Sequence, residues 1–273
     1  MNAQELKEQY KKTGFIGPVE IMSKEESLEY QKLILKAEEE HNLMKSMYRN
    51  KSNLLFPWID KLSKHPKIIE HVTNLLGPNI WCWNALFWVK YPNDGRNVGF
   101  HQDATYWNFD KKDKALTLWI AFNDLKEEHG TIEYVSGSHV AFQRKHIDVK
   151  DGKSLLLRGQ EVEEEVSKER IKTIVPAGHA LIHSPYIIHG SSTNNADTPR
   201  FAIGLIFAST ECAPLIKTKP EVTAMIAGTD EYNYMKHEPT VTGDWEVDLK
   251  NWQKTMDDHH ENYVAMNQGP YYQ

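Results

Sequence analysis

Apolar residues along this chain fall into two rhythms. Up to about residue 78 they recur at helical spacing, and beyond it they gather in short aromatic and β-branched runs separated by turn residues. Residues 3–13 and 24–42 are predicted as helices, the second opening after Ser23 with Glu26 three residues on as its capping-box partner. Leu28, Leu33, Leu35 and Ala37 form a loose apolar stripe on that second helix. Phe15, Ile16 and Val19 read as a short entry strand between the two. A third helix is expected from Pro66 to Leu76, ending at Gly77-Pro78.

The texture then changes to strands. The run from Ile80 to Tyr91 is followed by expected strands at 97–103, 115–123, 131–135, 170–175, 179–184, 186–190 and 201–209. Turn signals separate them, among them Pro92-Asn93-Asp94-Gly95, Ser136-Gly137-Ser138 and Pro176-Ala177-Gly178. Many short strands at this spacing indicate a mainly β, α+β protein with an antiparallel sandwich or barrel. The charge run at 161–170 reads as a solvated loop or helix. The polar tail beyond 215 is expected to hold one helix, near Trp245 to Met256.

Composition narrows the class. With 40% hydrophobic residues, 8 Trp and 12 Tyr, the 273 residues can bury a sizeable core. A net charge of -6 argues against a protein that tracks phosphate backbones, so no nucleic-acid partner is expected. The two cysteines, Cys82 and Cys212, supply neither a disulfide framework nor a cysteine zinc site, and both sit beside apolar residues as buried thiols would. Met1 to Tyr10 lacks the apolar run of a secretion signal, no segment is long enough to span a bilayer, and Gly269–Gln273 carries no targeting tripeptide. The expected setting is cytoplasmic and reducing, with no membrane partner; monomer and homodimer are equally open.

The chemistry lies in His101-Gln102-Asp103 and, 86 residues on, His189. On an extended strand, residues i and i+2 point to one side, so His101 and Asp103 can grip one metal, with the third ligand brought by a distant strand. Two imidazoles and a carboxylate on one face leave three coordination positions open, as ferrous oxygenases require. The His-x-Asp triplet alone carries little weight among 13 histidines. His183 and His179 compete with His189 for the third place; His139 reads as a turn residue, and His259-His260 lies in the polar tail.

The segment Gly178-His-Ala-Leu-Ile-His-Ser-Pro-Tyr-Ile-Ile-His189-Gly-Ser, with Asn194 and then Arg200 eleven residues after the histidine, resembles the distal signature of the phytanoyl-CoA dioxygenase family. Phe100-His-Gln-Asp-Ala-Thr-Tyr-Trp107, Leu116 to Phe122 and Gly130 through His139 match it in the same order, so the likeness runs from about Gly14 to Thr210. The resemblance implies a double-stranded β-helix, or jelly-roll, core with the N-terminal helices packed on one face. The expected layout is one domain over 1–273, with the core at 79–210, helical support at 1–78, and a C-terminal tail at 211–273 with a short helix. It also implies iron(II), O2 and 2-oxoglutarate, with His101, Asp103 and His189 as iron ligands. Arg200 is implied as partner of the distal carboxylate of 2-oxoglutarate, with Ser191 beside it and Trp119 against the co-substrate. Thr117 shares Trp119's strand face and is counted with it, as is Leu86. A permanently charged arginine at the start of the apolar run Phe201–Phe207 points inward to a partner, and a guanidinium binds a carboxylate through two parallel hydrogen bonds.

The reaction so implied hydroxylates an aliphatic C–H bond of a small, polar metabolite, of phosphonate or natural-product type, releasing CO2 and succinate. Asp103 favours hydroxylation over halogenation, because related halogenases have Gly or Ala there; desaturation and ring closure stay open. Tyr106, Trp107 and Asn108, after the ligand strand, are the expected substrate contacts at the pocket mouth. Asn84 and Lys90 join them from the alternation Asn84, Leu86, Trp88, Lys90, where Lys90 either meets an anionic substrate or stands solvated at a sheet edge. Two other readings remain: a cupin-like zinc or manganese hydrolase or isomerase, and a jelly roll that binds without catalysis.

Overall fold

A computed structural model describes residues 2–44, 47–149, 152–156, 159–166 and 169–268, with the side chains of 267 and 268 left aside. The first elements are α1 (Ala3–Thr13), β1 (Phe15–Glu20), α2 (Lys24–His41), α3 (Pro57–Ser63) and α4 (Pro66–Leu76). The strands β2 (Ile80–Phe87), β3 (Val98–His101), β4 (Ala115–Ala121), β5 (Glu133–Tyr134), β6 (His146–Asp148) and β7 (Gln160–Val162) follow. Then come β8 (Ile171–Lys172), β9 (His179–His183), β10 (His189–Ser191), β11 (Ala202–Ser209), β12 (Val222–Ala227), β13 (Lys236–His237) and α5 (Trp245–Gln268). The chain forms two compact units, and three of the five chain boundaries between them fall within β2, β4 and β11.

The first unit comprises residues 1–46, 87–106 and 117–204. It holds the strand order β1-β9-β4-β11 of a seven-stranded sheet, the four-stranded sheet β3-β10-β5-β8 and the β6-β7 pair. Phe15, Trp119, Leu181 and Ala202 of the first sheet and Tyr134 of the second share one buried cluster. Phe15 and Tyr134 stack with ring centroids 4.3 Å apart. Two antiparallel-based sheets closed on a common apolar filling are the jelly roll that the resemblance implies.

The helix α1 is capped by Asn2 in a full capping box with Glu5 and stopped by Gly14 in the left-handed region. In α2, Ser23 caps the Glu26 amide as expected, but the buried face is Ser27, Ile34 and Ala37, while Leu28 and Leu35 stand exposed. A buried acceptor sets that rotation: the Ser27 hydroxyl donates to the Phe122 carbonyl at 2.8 Å, Gln31 donates to the same oxygen, and Tyr30 stacks on the Phe122 ring. A satisfied carbonyl outweighs two leucines because leaving it unpaired in the interior is expensive.

The second unit comprises residues 47–86, 107–116 and 205–273. Its sheet runs β11-β2-β12-β13, with β12 antiparallel to β2 and parallel to β13. The sequence reading missed α3, β12 and β13, and α5 runs to Gln268 rather than Met256. Polar residues that look solvated in the sequence are paired inside. Glu221 accepts from Trp83 Nε1, Asn108 Nδ2 and Asn262 Nδ2, and Lys51 bonds Glu238 at 2.6 Å with both side chains nearly sealed from water. Burial opposes ionisation of Glu221, yet His259, Lys51 and the Trp83 donor hold its carboxyl down at about 2.

Other boundaries shift in the first unit. The strand expected over 97–103 ends at His101, because Asp103 opens a 3-10 turn. The strand expected over 186–190 begins only at His189, since Ser184 draws the Tyr186 and Ile187 amides into a turn. Glu161 and Val162 of the charge run lie in β7, while Gly269–Gln273 and residues 167–168 fall outside the described residues. Among the described residues, no helix is long and apolar enough to cross a membrane.

Ser27→Ala is expected to lower unfolding free energy by about 1 kcal/mol, whereas exposed Leu35→Ala should change it by less than about 0.5 kcal/mol. Urea denaturation of the two variants measures both, and the reverse order would refute this account of how α2 is seated.

Candidate active site

In the first unit, His101 ends β3 and His189 begins β10, and the two are directly opposed in register, with ring centroids 4.3 Å apart. Gly190 permits that approach, because a Cβ there would lie 2.9 Å from the Val98 carbonyl oxygen and 3.2 Å from the Phe100 ring. The 3-10 turn swings Asp103 toward the pair, placing Oδ1 3.4 Å from His101 Nε2 and 3.7 Å from His189 Nε2. One ligand atom from each of the three side chains lies within 4.8 Å of the others. The i, i+2 strand spacing expected in the sequence is therefore not what joins His101 to Asp103; a chain turn does it.

Each imidazole is oriented from behind. His101 Nδ1 lies 2.9 Å from the Gly99 carbonyl and His189 Nδ1 lies 3.0 Å from the Ile187 carbonyl, so Nδ1–H donates and Nε2 presents a lone pair to the centre. Burial, followed by His101 and His183 nearby, holds His189 well below the usual imidazole range. Burial opposes ionisation of Asp103, but His189, His101 and His183 outweigh it and keep the carboxyl well below its ordinary value. A neutral His189 beside an ionised Asp103 is a protonation state that a metal ion binds. Three converging donors on one side, two nitrogen and one oxygen, suit ferrous iron with open positions.

Gln102, between two of these residues, is fully buried and fully bonded. Its Nε2 donates to the Phe142 and Tyr186 carbonyls, its Oε1 accepts from the Arg144 amide, and its own amide donates to His146 Nε2. The backbone carrying the candidate ligands is thus tied to the 142–146 loop. The sequence reading did not single out Gln102, and a polar residue between two candidate ligands was the available signal.

The cavity at this centre is walled by Trp88, Val98, Thr117, Trp119, Ile132, His183, Gly190, Ser191 and Arg200. Arg200 is 1% exposed, and its Cζ lies 5.6 Å from the Trp119 ring. Its Nη1 donates to the Gly130 carbonyl and to Ser191 Oγ, while the buried Nε has no partner. Lys90 is not solvated at a sheet edge: it is fully buried, and its Nζ donates to Ser191 Oγ at 2.6 Å and to the Ser191 and Ser192 carbonyls. Burial pulls Arg200 down to about 9, with Asp94 opposing. Burial and then Arg200 pull Lys90 down to about 5, against Asp94 and Glu133. Arg200 and Ser191 line the cavity, and Lys90, which does not line it, is bonded to Ser191; neither basic group has an ion-pair partner among the described residues, which suits the Arg200 side of the cavity to an anion.

The remaining residues singled out in the sequence are placed variously. Thr117 donates to Asp103 Oδ2 at 2.6 Å. Tyr106 sets its ring edge against His101 at 5.9 Å, and its hydroxyl accepts from the Gln160 amide. Asn84, Leu86, Trp107 and Asn108 belong to the second unit, and none is among the residues lining this cavity. Asn84 accepts from the Lys51 amide; Asn108 is bonded to both backbone groups of Ile216 and to Glu221; Trp107 is buried against Trp83 and Phe109. Trp107 and Asn108 are buried among partners of their own unit, which adjacency in sequence to the ligand strand does not reveal.

A double-stranded β-helix with two histidines, one carboxylate and a buried anion end defines the structural class. Residues 20–202 match the family described as Phytanoyl-CoA dioxygenase (PhyH), and the chain belongs to that family. It is 28% identical over 152 residues to the human "Phytanoyl-CoA dioxygenase, peroxisomal", covering 54% of this chain and 45% of that one, so the match spans about half the length of this relative. It is 26% identical over 203 residues to a "Probable alpha-ketoglutarate-dependent hypophosphite dioxygenase" of Stutzerimonas stutzeri, covering 74% of this chain and 68% of that one. Among solved structures, the non-heme monooxygenase ThoJ without ligand has the same fold, with a TM-score of 0.83 at 22% identity over 96% of this chain and 99% of that one.

The Lys90 amine lies at about 5 in the folded protein against an ordinary value of 10.5. Between those limits the unfolded chain binds the extra proton, so this residue disfavours folding most at and below about pH 5 and progressively less toward pH 10. Lys90→Met is expected to be more stable than the parent at pH 6, with the gap closing as pH rises. Urea unfolding at several pH values measures it, and a pH-independent gap would show that the buried amine is not responsible.

Proposed function

We propose that this protein is an iron(II)- and 2-oxoglutarate-dependent dioxygenase that hydroxylates a small polar molecule, with His101, Asp103 and His189 as the iron ligands. The observation that carries the reading is the combination of an oriented His-Asp-His set with a buried, half-satisfied guanidinium at the other end of one cavity. Iron and 2-oxoglutarate bound here supply the oxidising chemistry, with O2 consumed and CO2 and succinate released.

The chain's own contribution is orientation and exclusion of water. Arg200, whose Nε has no partner, and Ser191, whose Oγ accepts from Lys90 and Arg200 and so can donate its own O–H, would hold the far carboxylate of 2-oxoglutarate. Lys90 thereby serves the co-substrate end rather than the substrate, adding a second basic group behind Ser191. Trp119 closes the cavity beside Arg200, and Thr117 holds Asp103. Of the substrate contacts expected from the sequence, Tyr106 is the one that lies against a candidate iron ligand.

A small anionic or strongly polar substrate, of phosphonate or natural-product type, is the class we infer. The relative whose name includes hypophosphite supports it, and it matches more of this chain than the human acyl-CoA enzyme does. A zinc or manganese hydrolase on the same scaffold has no use for an unpartnered arginine buried in the cavity, which favours the oxygenase. A cytoplasmic, small-molecule enzyme without nucleic-acid or membrane partners accords with the composition.

Aerobic incubation with iron(II) and 2-oxoglutarate is expected to yield succinate, even without the substrate, and Arg200→Ala should weaken 2-oxoglutarate binding by about tenfold to a hundredfold while leaving metal affinity nearly unchanged. Calorimetry with manganese(II) and then 2-oxoglutarate under nitrogen separates the two affinities. No succinate, or equal loss of both affinities in the variant, would remove the oxygenase reading.

A further inference from the structure

We propose that His183 is a positioning residue that fixes Asp103 in a one-oxygen binding mode, and that Tyr134 sets the tautomer of His183 for that task. This rests on Asp103 being a metal ligand as proposed above. The carboxylate is divided between two sets of partners. Oδ1 faces His101 Nε2 and His189 Nε2, while Oδ2 accepts from the Thr117 hydroxyl at 2.6 Å and faces His183 Nε2 at 3.2 Å. The second pair of donors arises from sheet register: Thr117 on β4 and His183 on β9 are directly opposed, so both side chains leave the sheet on the same side.

The proton inventory assigns His183 its role. It is 1% exposed, and its Nδ1 lies 2.8 Å from the hydroxyl of Tyr134, a residue with no exposure and stacked on Phe15. The Tyr134 phenol, set against this nitrogen inside the cluster, donates its O–H to Nδ1. With Nδ1 accepting, the ring's proton lies on Nε2, which donates to Asp103 Oδ2. A nitrogen bearing that proton cannot ligate a metal, which separates His183 from His189, whose Nδ1 donates to a carbonyl and whose Nε2 is free. The sequence offered both histidines as the third ligand; the groups behind each ring distinguish them.

Holding Oδ2 matters because a carboxylate with both oxygens loose can take two coordination positions instead of one. Two positions are needed for a bidentate oxo acid and one for O2, so a carboxylate anchored at Oδ2 preserves the vacancy count of the facial arrangement. Thr117 supplies one anchor, and His183 the other.

Binding of manganese(II) to the full-length protein, followed by the free-ion electron paramagnetic resonance signal, tests this directly. His183→Leu should weaken manganese(II) binding by about tenfold to a hundredfold, as loss of a group supporting a ligand does. His183→Gln, whose amide can still donate at the Nε2 position, should stay within about threefold of the parent, and Tyr134→Phe should fall between the two. Unfolding midpoints and circular dichroism matched to the parent show that the fold is intact. Unchanged affinity in His183→Leu overturns the proposal, as does a His183→Gln affinity as poor as that of His183→Leu, which would make His183 a ligand or a mere filler. Should the leucine variant fail to fold, Tyr134→Phe and His183→Gln decide: weakened binding in the first with near-parent binding in the second supports the proposal, and any other pattern overturns it. His189→Ala serves as control, because parent-like binding there would show that the metal site itself is elsewhere.

Discussion

A carboxylate sealed largely away from water needs compensation for both of its oxygens, and the centre of this protein is arranged around that requirement at Asp103. Three imidazoles and one hydroxyl surround it, contributed by β3, β4, β9 and β10. Burial alone would favour the protonated acid, and the neighbouring rings more than reverse it. His101 and His189 each bond a backbone carbonyl through Nδ1, on the side away from Asp103, so Oδ1 and the two Nε2 atoms are left for a cation that is not a side chain. The strand registers His189↔His101 and Thr117↔His183 are what bring these groups to one place.

The opposite end of the cavity follows the converse rule. Arg200 and Lys90 are buried without an acidic partner among the described residues, and they share Ser191 and nearby carbonyls. Carbonyls and a hydroxyl can accept hydrogen bonds but cannot neutralise charge, so both basic groups are pulled toward their neutral forms. In the proposed function a dianion would meet Arg200 with one carboxylate and a metal ion held by the His-Asp-His set with the other.

Much of this arrangement is legible in the sequence because it is carried by local spacing. His-x-Asp, His-Gly-Ser and the arginine eleven residues beyond are each short patterns whose residue types have a physical purpose, as Gly190 shows by lying where a Cβ would strike the Val98 carbonyl. The helices α1, α2 and α4 are similarly signalled by caps and breakers at their ends. What was not legible depends on long-range pairing. Lys90 reads equally as a substrate contact or an edge lysine until its amine is seen on Ser191, 101 residues away. Asn108 and Trp107 follow the ligand strand in sequence, yet their partners are Ile216, Glu221 and Trp83. The polar chain after residue 211 looks solvated because nothing local shows that Glu221 will meet two asparagines and a tryptophan inside. His183 was visible as a histidine near the right strand, but only the Tyr134 hydroxyl reveals which nitrogen carries its proton.

The most direct test is a crystal structure of the protein loaded anaerobically with manganese(II) and 2-oxoglutarate. The metal is expected on His101 Nε2, a single oxygen of Asp103 and His189 Nε2, with the far carboxylate of the oxo acid on Arg200 and Ser191. A metal bound through His183 in place of His189, or an oxo acid whose far carboxylate lies away from Arg200, would contradict it.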